Sequence, residues 1–282
     1  MKRILLPTDF SKNAYNAIEY AVQLFEQEAC EFSLLHTYSP LIVPAHPVLD
    51  SYSVLKMQKM AQENAEKNLE DLVDKITNRF NNQKHSFQTH ASFNLLTEEM
   101  KNCVQEKSID LVVMGTQGAT GAKEIFLGTE TMDAIKKMKC PVLAVPEGFT
   151  YENPREILFP TDFELDTSNK YLSLLRYICE THGSRIHMLN AYYGNPLSVS
   201  QEERKQFLDN FFIENVHLFH IAENTEVIAA IEQFQLKHKI NLLVMVHNKH
   251  NLLENILFRP IINQVAYHTH VPFLVIPSVE RQ

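Results

Sequence analysis

No run of eighteen apolar residues occurs in this 282-residue chain, so no helix is expected to span a bilayer. Cysteine is scarce and scattered: Cys30, Cys103, Cys140 and Cys179 stand alone, with no CxxC pair. Isolated thiols point to reduced, mostly buried side chains in a cytoplasmic protein, and away from a disulfide frame. Thirteen histidines are present, but no HExxH or comparable ligand spacing links them, so no metal site is expected. Nor is there a basic excess. A formal net charge of −8 leaves no basic stripe to neutralise phosphates, which argues against a nucleic-acid partner. The amino terminus carries Lys2 and Arg3 but no long apolar core, so no signal peptide is expected. What remains is ordinary globular composition, 45% hydrophobic and 21% charged, enough for one large domain or two of ordinary size.

Glycine is the most informative scarcity. The chain has seven, and four of them (Gly115, Gly118, Gly121 and Gly128) fall within fourteen residues. Directly before this stretch, Ile109 to Met114 reads as a fully buried strand. Directly after it, Thr129 to Met138 reads as a helix. Strand, glycine-rich loop and helix together offer backbone N–H groups and a helix N-terminus to a phosphate.

The remaining elements follow in order. Lys2 to Thr8 is an apolar strand ending in Pro7-Thr8-Asp9-Phe10-Ser11. Ala14 to Phe25 has apolar residues at helical spacing, with Ser11 as N-cap. A second strand spans Phe32 to Tyr38, then a proline-rich loop from Pro40 to Pro47 and a long polar helix from Ser51 to Asn78. Phe87 to Ser92 is a third strand, Thr97 to Lys107 a helix capped by Thr97, and Pro141 to Val145 a last strand. This alternation implies a parallel sheet with helices on both faces.

The second half repeats the first. Lys2–Phe10 returns as Arg155–Phe163, Leu34–Tyr38 as Met188–Tyr192, Ile109–Met114 as Ile240–Met245, and Cys140–Pro146 as Val271–Pro277. Four matches in one order make a tandem duplication, with domains at 1–147 and 154–282 and a linker from Glu147 to Pro154. The fold class is therefore α/β, with two tandem five-stranded parallel-sheet, Rossmann-like domains. One stretch diverges. Gly115 falls on Val246, Gly118 on Lys249, Gly128 on Arg259 and Thr129 on Pro260. Proline has no N–H to give, and the bulkier side chains would fill the space a phosphate needs.

In open parallel sheets ligands sit at the carboxyl ends of strands where the strand order reverses. That point lies between the first strand, ending at Asp9, and the fourth, ending at Gly115. A carboxylate there can accept hydrogen bonds from a ribose or an adenine amino group. Thr129 can cap its helix and offer a hydroxyl, and Lys123 can act as a point cation. A plainer reading stands beside this one. Asp9 and Asp162 would then cap the helices after their strands, His36 would be a packed or surface imidazole, and the glycines would form only a turn. Glu130 opposes an anion but favours the helix dipole.

The spacing Gly115-x2-Gly118-x9-Gly128-Thr129, with Pro7-Thr8-Asp9-Phe10-Ser11 at the first strand end, resembles the universal stress protein family. ATP-binding members of that family carry G-x2-G-x9-G-S/T. The likeness covers both halves and implies adenine nucleotide alpha hydrolase-like domains. It implies that Pro7, Thr8 and Asp9 contact adenine and ribose and that Thr37 lines the adenine pocket. Met114, Gly115 and Gly118 would hold ribose and phosphates, and Gly128, Thr129 and the Glu130 backbone the phosphates. Thr37 and Glu130 are polar where the family is usually apolar. The second half resembles members without the ATP motif. The family dimerises through its last strand, so the two halves are expected to pair as an internal pseudo-dimer, and pairing of whole chains into a homodimer stays open.

Two functions follow. The first is a stress-response regulatory protein that binds ATP, ADP or AMP in its first half, with Mg²⁺ or Mn²⁺ able to accompany the phosphates. No nucleophile or general base stands out, so slow ATP hydrolysis is the most that is expected. The second is a scaffold that binds no nucleotide and works through the Ser51–Asn78 helix. An adenylyl-transferring enzyme is disfavoured, because the first strand is followed by no glycine-rich turn.

Overall fold

The computed structural model describes residues 1–38, 51–116, 128–192, 196–247 and 270–279. The Pro40–Pro47 loop and most of the glycine-rich stretch, 117–127, lie outside the described residues. The first half runs β1 (Lys2–Pro7), α1 (Lys12–Leu24), β2 (Cys30–Thr37), α2 (Ser51–Phe80), β3 (His85–Ser92), α3 (Leu96–Glu106), β4 (Leu111–Gly115), α4 (Thr129–Lys137) and β5 (Val142–Val145). The second runs β6 (Glu156–Pro160), α5 (Leu172–His182), β7 (Arg185–Tyr192), α6 (Val199–Phe211), β8 (Val216–Glu223), α7 (Val227–Lys237), β9 (Leu242–His247) and β10 (Phe273–Pro277). The α6 helix has 13 residues where α2 has 30, which shortens the middle of the second copy. No described helix is long and apolar enough to cross a membrane.

All ten strands form one sheet in the order β3-β2-β1-β4-β5-β10-β9-β6-β7-β8. Within each half the strands are parallel, and the order reverses beside the first strand. Leu5 lies between Ser33 of β2 and Val112 of β4, and Ile157 between Ile186 of β7 and Leu242 of β9. The halves meet at β5 and β10, which run antiparallel with Leu143 opposite Leu274. Every residue of β5 and of β10 is buried, so each covers an apolar edge that would otherwise invite pairing with another chain.

The strands alternate faces, and two cores result. Ile4 and Leu6 face α1, with Ala17, Ile18 and Ala21, while Leu5 faces the other side with Met100, Ala134 and Ile135. Both cores run through both halves. Across the join, Phe25 stacks on Tyr177 at 6.2 Å between centroids, and Lys2 Nζ lies 4.3 Å from the centre of the same tyrosine ring. All four cysteines are free and buried. Burial pushes the Cys140 and Cys179 thiols up to about 12, so they are neutral at ordinary pH.

The turn after the first strand is built twice. Phe10 and Phe163 both take left-handed backbone, at φ 62° and 57°. That conformation costs a non-glycine residue about 1–2 kcal/mol. Hydrogen bonds hold it: Phe10 N–H donates to Thr8 Oγ1 and Ser11 N–H to Asp9 Oδ1, while Phe163 N–H donates to Thr161 Oγ1 and Glu164 N–H to Asp162 Oδ1. Asp9 and Asp162 thus close Asx turns instead of capping helices, because Ser11 takes the N-cap and its Oγ accepts from Ala14 N–H. Thr97 is not a cap either. Helix α3 starts at Leu96, leaving Thr97 in its first turn, buried.

One bond across the join titrates. His182 Nε2–H donates to the carbonyl of Leu24, the last residue of α1, at 2.9 Å. Burial holds this imidazole below its ordinary value, against the Leu24 bond that raises it and with Arg155 lowering it further. The folded chain therefore binds this proton less readily than the unfolded chain. Stability is unaffected above about pH 6.5 and falls as pH drops through the window below it. We expect the loss of Tm between about pH 7.5 and 5.5 to be smaller in His182→Gln, which keeps a donor and removes the titration. His85 and His220, also held down chiefly by burial, would supply the remaining slope. An unchanged slope in the variant would rule His182 out.

Candidate functional site

A pocket of about 380 Å³ opens where the first half's strand order reverses. The ends of β1 and β2 supply Pro7, Thr8, Asp9 and Thr37, the end of β4 supplies Met114 and Gly115, and the start of α4 supplies Gly128, Thr129 and Glu130. Nine of the ten residues expected from the sequence line this one cavity. The tenth, Gly118, lies outside the described residues, as do Lys123 and the second-half counterparts Lys249, Arg259 and Pro260.

Several of these residues sit differently from expectation. Gly128 is the N-cap of α4, and no side chain caps that helix, so Thr129 is its first residue and not its cap. The Gly128 N–H is turned inward and donates to the Thr116 carbonyl. The first helical bond runs from Met132 N–H to the Gly128 carbonyl, at 3.0 Å. The N–H groups of Thr129, Glu130 and Thr131 therefore have no intrahelical acceptor. They and the positive end of the helix dipole are what α4 offers an anion. Thr8 is walled in: its N–H goes to Leu35, its Oγ1 accepts from Phe10, and its carbonyl accepts from His36 Nδ1–H at 2.8 Å. Its part in the site is to shape the wall.

Three lining residues, Ala14, Leu96 and Thr131, carried no site signal in the sequence, and a fourth, His36, reads there as a packed or surface imidazole. Thr131 Oγ1 donates to the Gly115 carbonyl at 2.9 Å, tying the start of α4 to the end of β4. His36 packs on Phe10 at 4.5 Å between centroids. In the second half Asn190 Nδ2 makes the equivalent bond, to the Thr161 carbonyl. The imidazole thus fills a structural role common to both copies. The Glu130 carboxylate accepts from Thr97 Oγ1 at 3.4 Å, which draws it toward α3.

Gly115 has a reason of its own. A Cβ there would lie 2.6 Å from Asn13 Nδ2 and 2.8 Å from Asn13 Cγ. Asn13 is buried in the first turn of α1. In the second copy Asp166 stands in its place and holds a turn with Ser168, and helix α5 begins only at Leu172. Val246 can then replace the glycine, and it is buried.

A larger cavity of about 770 Å³ lies at the opposite end of β4, between the halves. It is lined by Lys101, Asp110 and Lys139 from the first half and Lys170 and Tyr171 from the second. None of the expected site residues reaches it. Lys101 is paired with Glu98, and Tyr171 Oη donates to the Lys139 carbonyl.

Comparison with known proteins identifies the family and the fold. Residues 1–146 match the model of the universal stress protein family. The chain is 28% identical over 155 residues to universal stress protein MJ0577 of Methanocaldococcus jannaschii, covering 51% of this chain and 94% of that protein. It is 28% identical over 156 residues to universal stress protein YxiE of Bacillus subtilis, covering 51% of this chain and 97% of that protein. A crystal structure of a universal stress protein from Archaeoglobus fulgidus superposes with a TM-score of 0.66 at 16% identity, over 98% of this chain and 96% of that one. That likeness shows the fold, and it extends over both halves.

The Gly115 contact can be tested. Gly115→Ala should lower stability by about 1–3 kcal/mol in denaturant unfolding. Adding Asn13→Ala should recover most of that loss, giving a favourable coupling between two touching positions. A double variant no more stable than Gly115→Ala would show that the overlap is not what demands glycine.

Proposed function

The chain belongs to the universal stress protein family, and from that premise we propose that it is a regulatory protein whose amino-terminal half binds ATP or a related adenine nucleotide. We divide it at 1–147 and 154–282, with the second domain as the internal partner of the first, and place its work in the cytoplasm. The observation that carries the reading is the pocket at the strand reversal. It combines a strand-end carboxylate, an apolar and hydroxyl wall, and three helix N–H groups without intrahelical acceptors. Its volume of about 380 Å³ lies within the range usual for small-ligand sites. Adenine and ribose would lie against Pro7, Thr8, Asp9 and Thr37, and the phosphates would point at Thr129 and Glu130. Gly118 and the rest of its loop would complete the phosphate side.

Glu130 is an oxygen donor of the kind that holds Mg²⁺ or Mn²⁺ together with phosphates, so it fits such an ion. The ion would neutralise phosphate charge beside Glu130. Ligand occupancy, and not turnover, is the proposed signal.

A second reading is a scaffold without nucleotide, favoured by exposed Leu55, Met57 and Met60 on α2. Calorimetry separates the two. The native chain should bind ATP with one site per chain, and Gly128→Arg, which copies the residue of the second half, should not bind. No heat from the native chain at about millimolar nucleotide favours the scaffold. Two sites per chain would overturn the silent second half.

Glu130 tests the phosphate placement. Without divalent ions, Glu130→Gln should tighten ATP by about tenfold by removing a like charge. It should tighten AMP less, and the gain should shrink when Mg²⁺ is added. Equal effects on ATP and AMP would place the phosphates elsewhere.

A further inference from the structure

Between β3 and α3, outside the lining of the nucleotide pocket, three side chains of different chemistry converge. His90 lies on β3 opposite Leu35, and Glu99 and Cys103 lie one helical turn apart on α3. Their ligand atoms, His90 Nε2, a Glu99 oxygen and Cys103 Sγ, all fall within 4.8 Å of one another. Cys103 is 2% exposed and Glu99 9%, while His90 is half-buried and leaves one approach open to solvent. We propose that His90, Glu99 and Cys103 form a binding site for a divalent cation of the zinc type, completed by water.

Imidazole, carboxylate and thiolate are the three donor classes zinc takes, and two negative ligands balance its charge. Bonds of about 2.0–2.3 Å in a tetrahedron place the donors about 3.3–3.8 Å apart. His90 Nε2 and Glu99 Oε1 are 2.7 Å apart and would open slightly, while the farthest donor would close in. The carboxylate is held from behind: Asn94 Nδ2 donates to Glu99 Oε2 at 2.8 Å, and Asn102 Nδ2 to the same oxygen at 3.4 Å. Supporting bonds of this kind orient metal ligands. Without the cation, His90 Nε2–H donates to Glu99. On binding, the imidazole carries its proton on Nδ1, and the thiol gives its proton to solvent as the metal–sulfur bond forms.

A second cluster must be told apart from this one. His187 Nδ1 lies 2.9 Å from His220 Nε2, and His238 packs against both rings. The experiment uses the full chain, stripped with chelator, loaded with Zn²⁺ or Co²⁺ and dialysed. The native chain should retain one equivalent, and the cobalt form should show a thiolate-to-metal charge-transfer band in the near ultraviolet. Cys103→Ser should lose the band and the retained metal, and His90→Gln, at a half-exposed position, should lose the retained metal with its fold intact by circular dichroism. His220→Gln should retain metal as the native chain does. A native chain that retains none, a band that survives Cys103→Ser, or loss only in His220→Gln would each overturn the assignment.

Discussion

The antiparallel contact between β5 and β10 is the constraint on which the molecule turns. Each half ends in a short strand buried on both faces, and neither can be left open to water. Paired at Leu143 and Leu274, they convert two five-stranded sheets into one of ten strands. The helices follow, because α1 and α5 are brought side by side, where Phe25 meets Tyr177 and His182 meets the end of α1. The join uses the β5 edge and its counterpart β10, each separated from the strand reversal of its half by one strand, β4 or β9. The pocket beside β1 and β4 stays open.

Duplication lets the chain serve as its own control. The Pro-Thr-Asp-Phe turn is repeated bond for bond, so its threonine and aspartate are needed by the fold in both copies. Asn16 and Asn169 likewise both donate to the carbonyl of the proline at the end of the last strand, Pro146 and Pro277. The differences are therefore the informative part. Gly115 with Asn13 has become Val246 with Asp166, and His36 has become Asn190. A Cβ at 115 would overlap the Asn13 side chain whether or not a ligand is present. Support for a ligand comes instead from the cavity and from the N–H groups at the start of α4.

Much of this was legible in the residues. Buried parallel strands are apolar runs of fixed length, and Leu111 to Met114 can hardly be anything else. The repeat was legible because four strand ends recur in one order. The capping roles of Asp9, Thr97 and Thr129 were misread for a common reason. Each residue type suits a cap, but which backbone N–H it reaches depends on where the helix starts, and that is settled by packing. Leu96 and Thr131 gave no signal, since each comes to the pocket by the position of its element and not by a motif. His90, Glu99 and Cys103 were hidden for the same reason, one donor lying on a strand and two on a helix.

The amino-acid sequence by itself determined the α/β class, the tandem repeat, the family, and which half carries the glycine-rich motif. Those properties are written in local periodicity and in residues a few positions apart. Only the tertiary structure decided which N–H groups of α4 remain for an anion and which side chain, Asn13, a Cβ at 115 would meet. Each of these depends on how close two elements far apart in the chain approach, and that distance is set by the packing of the cores between them.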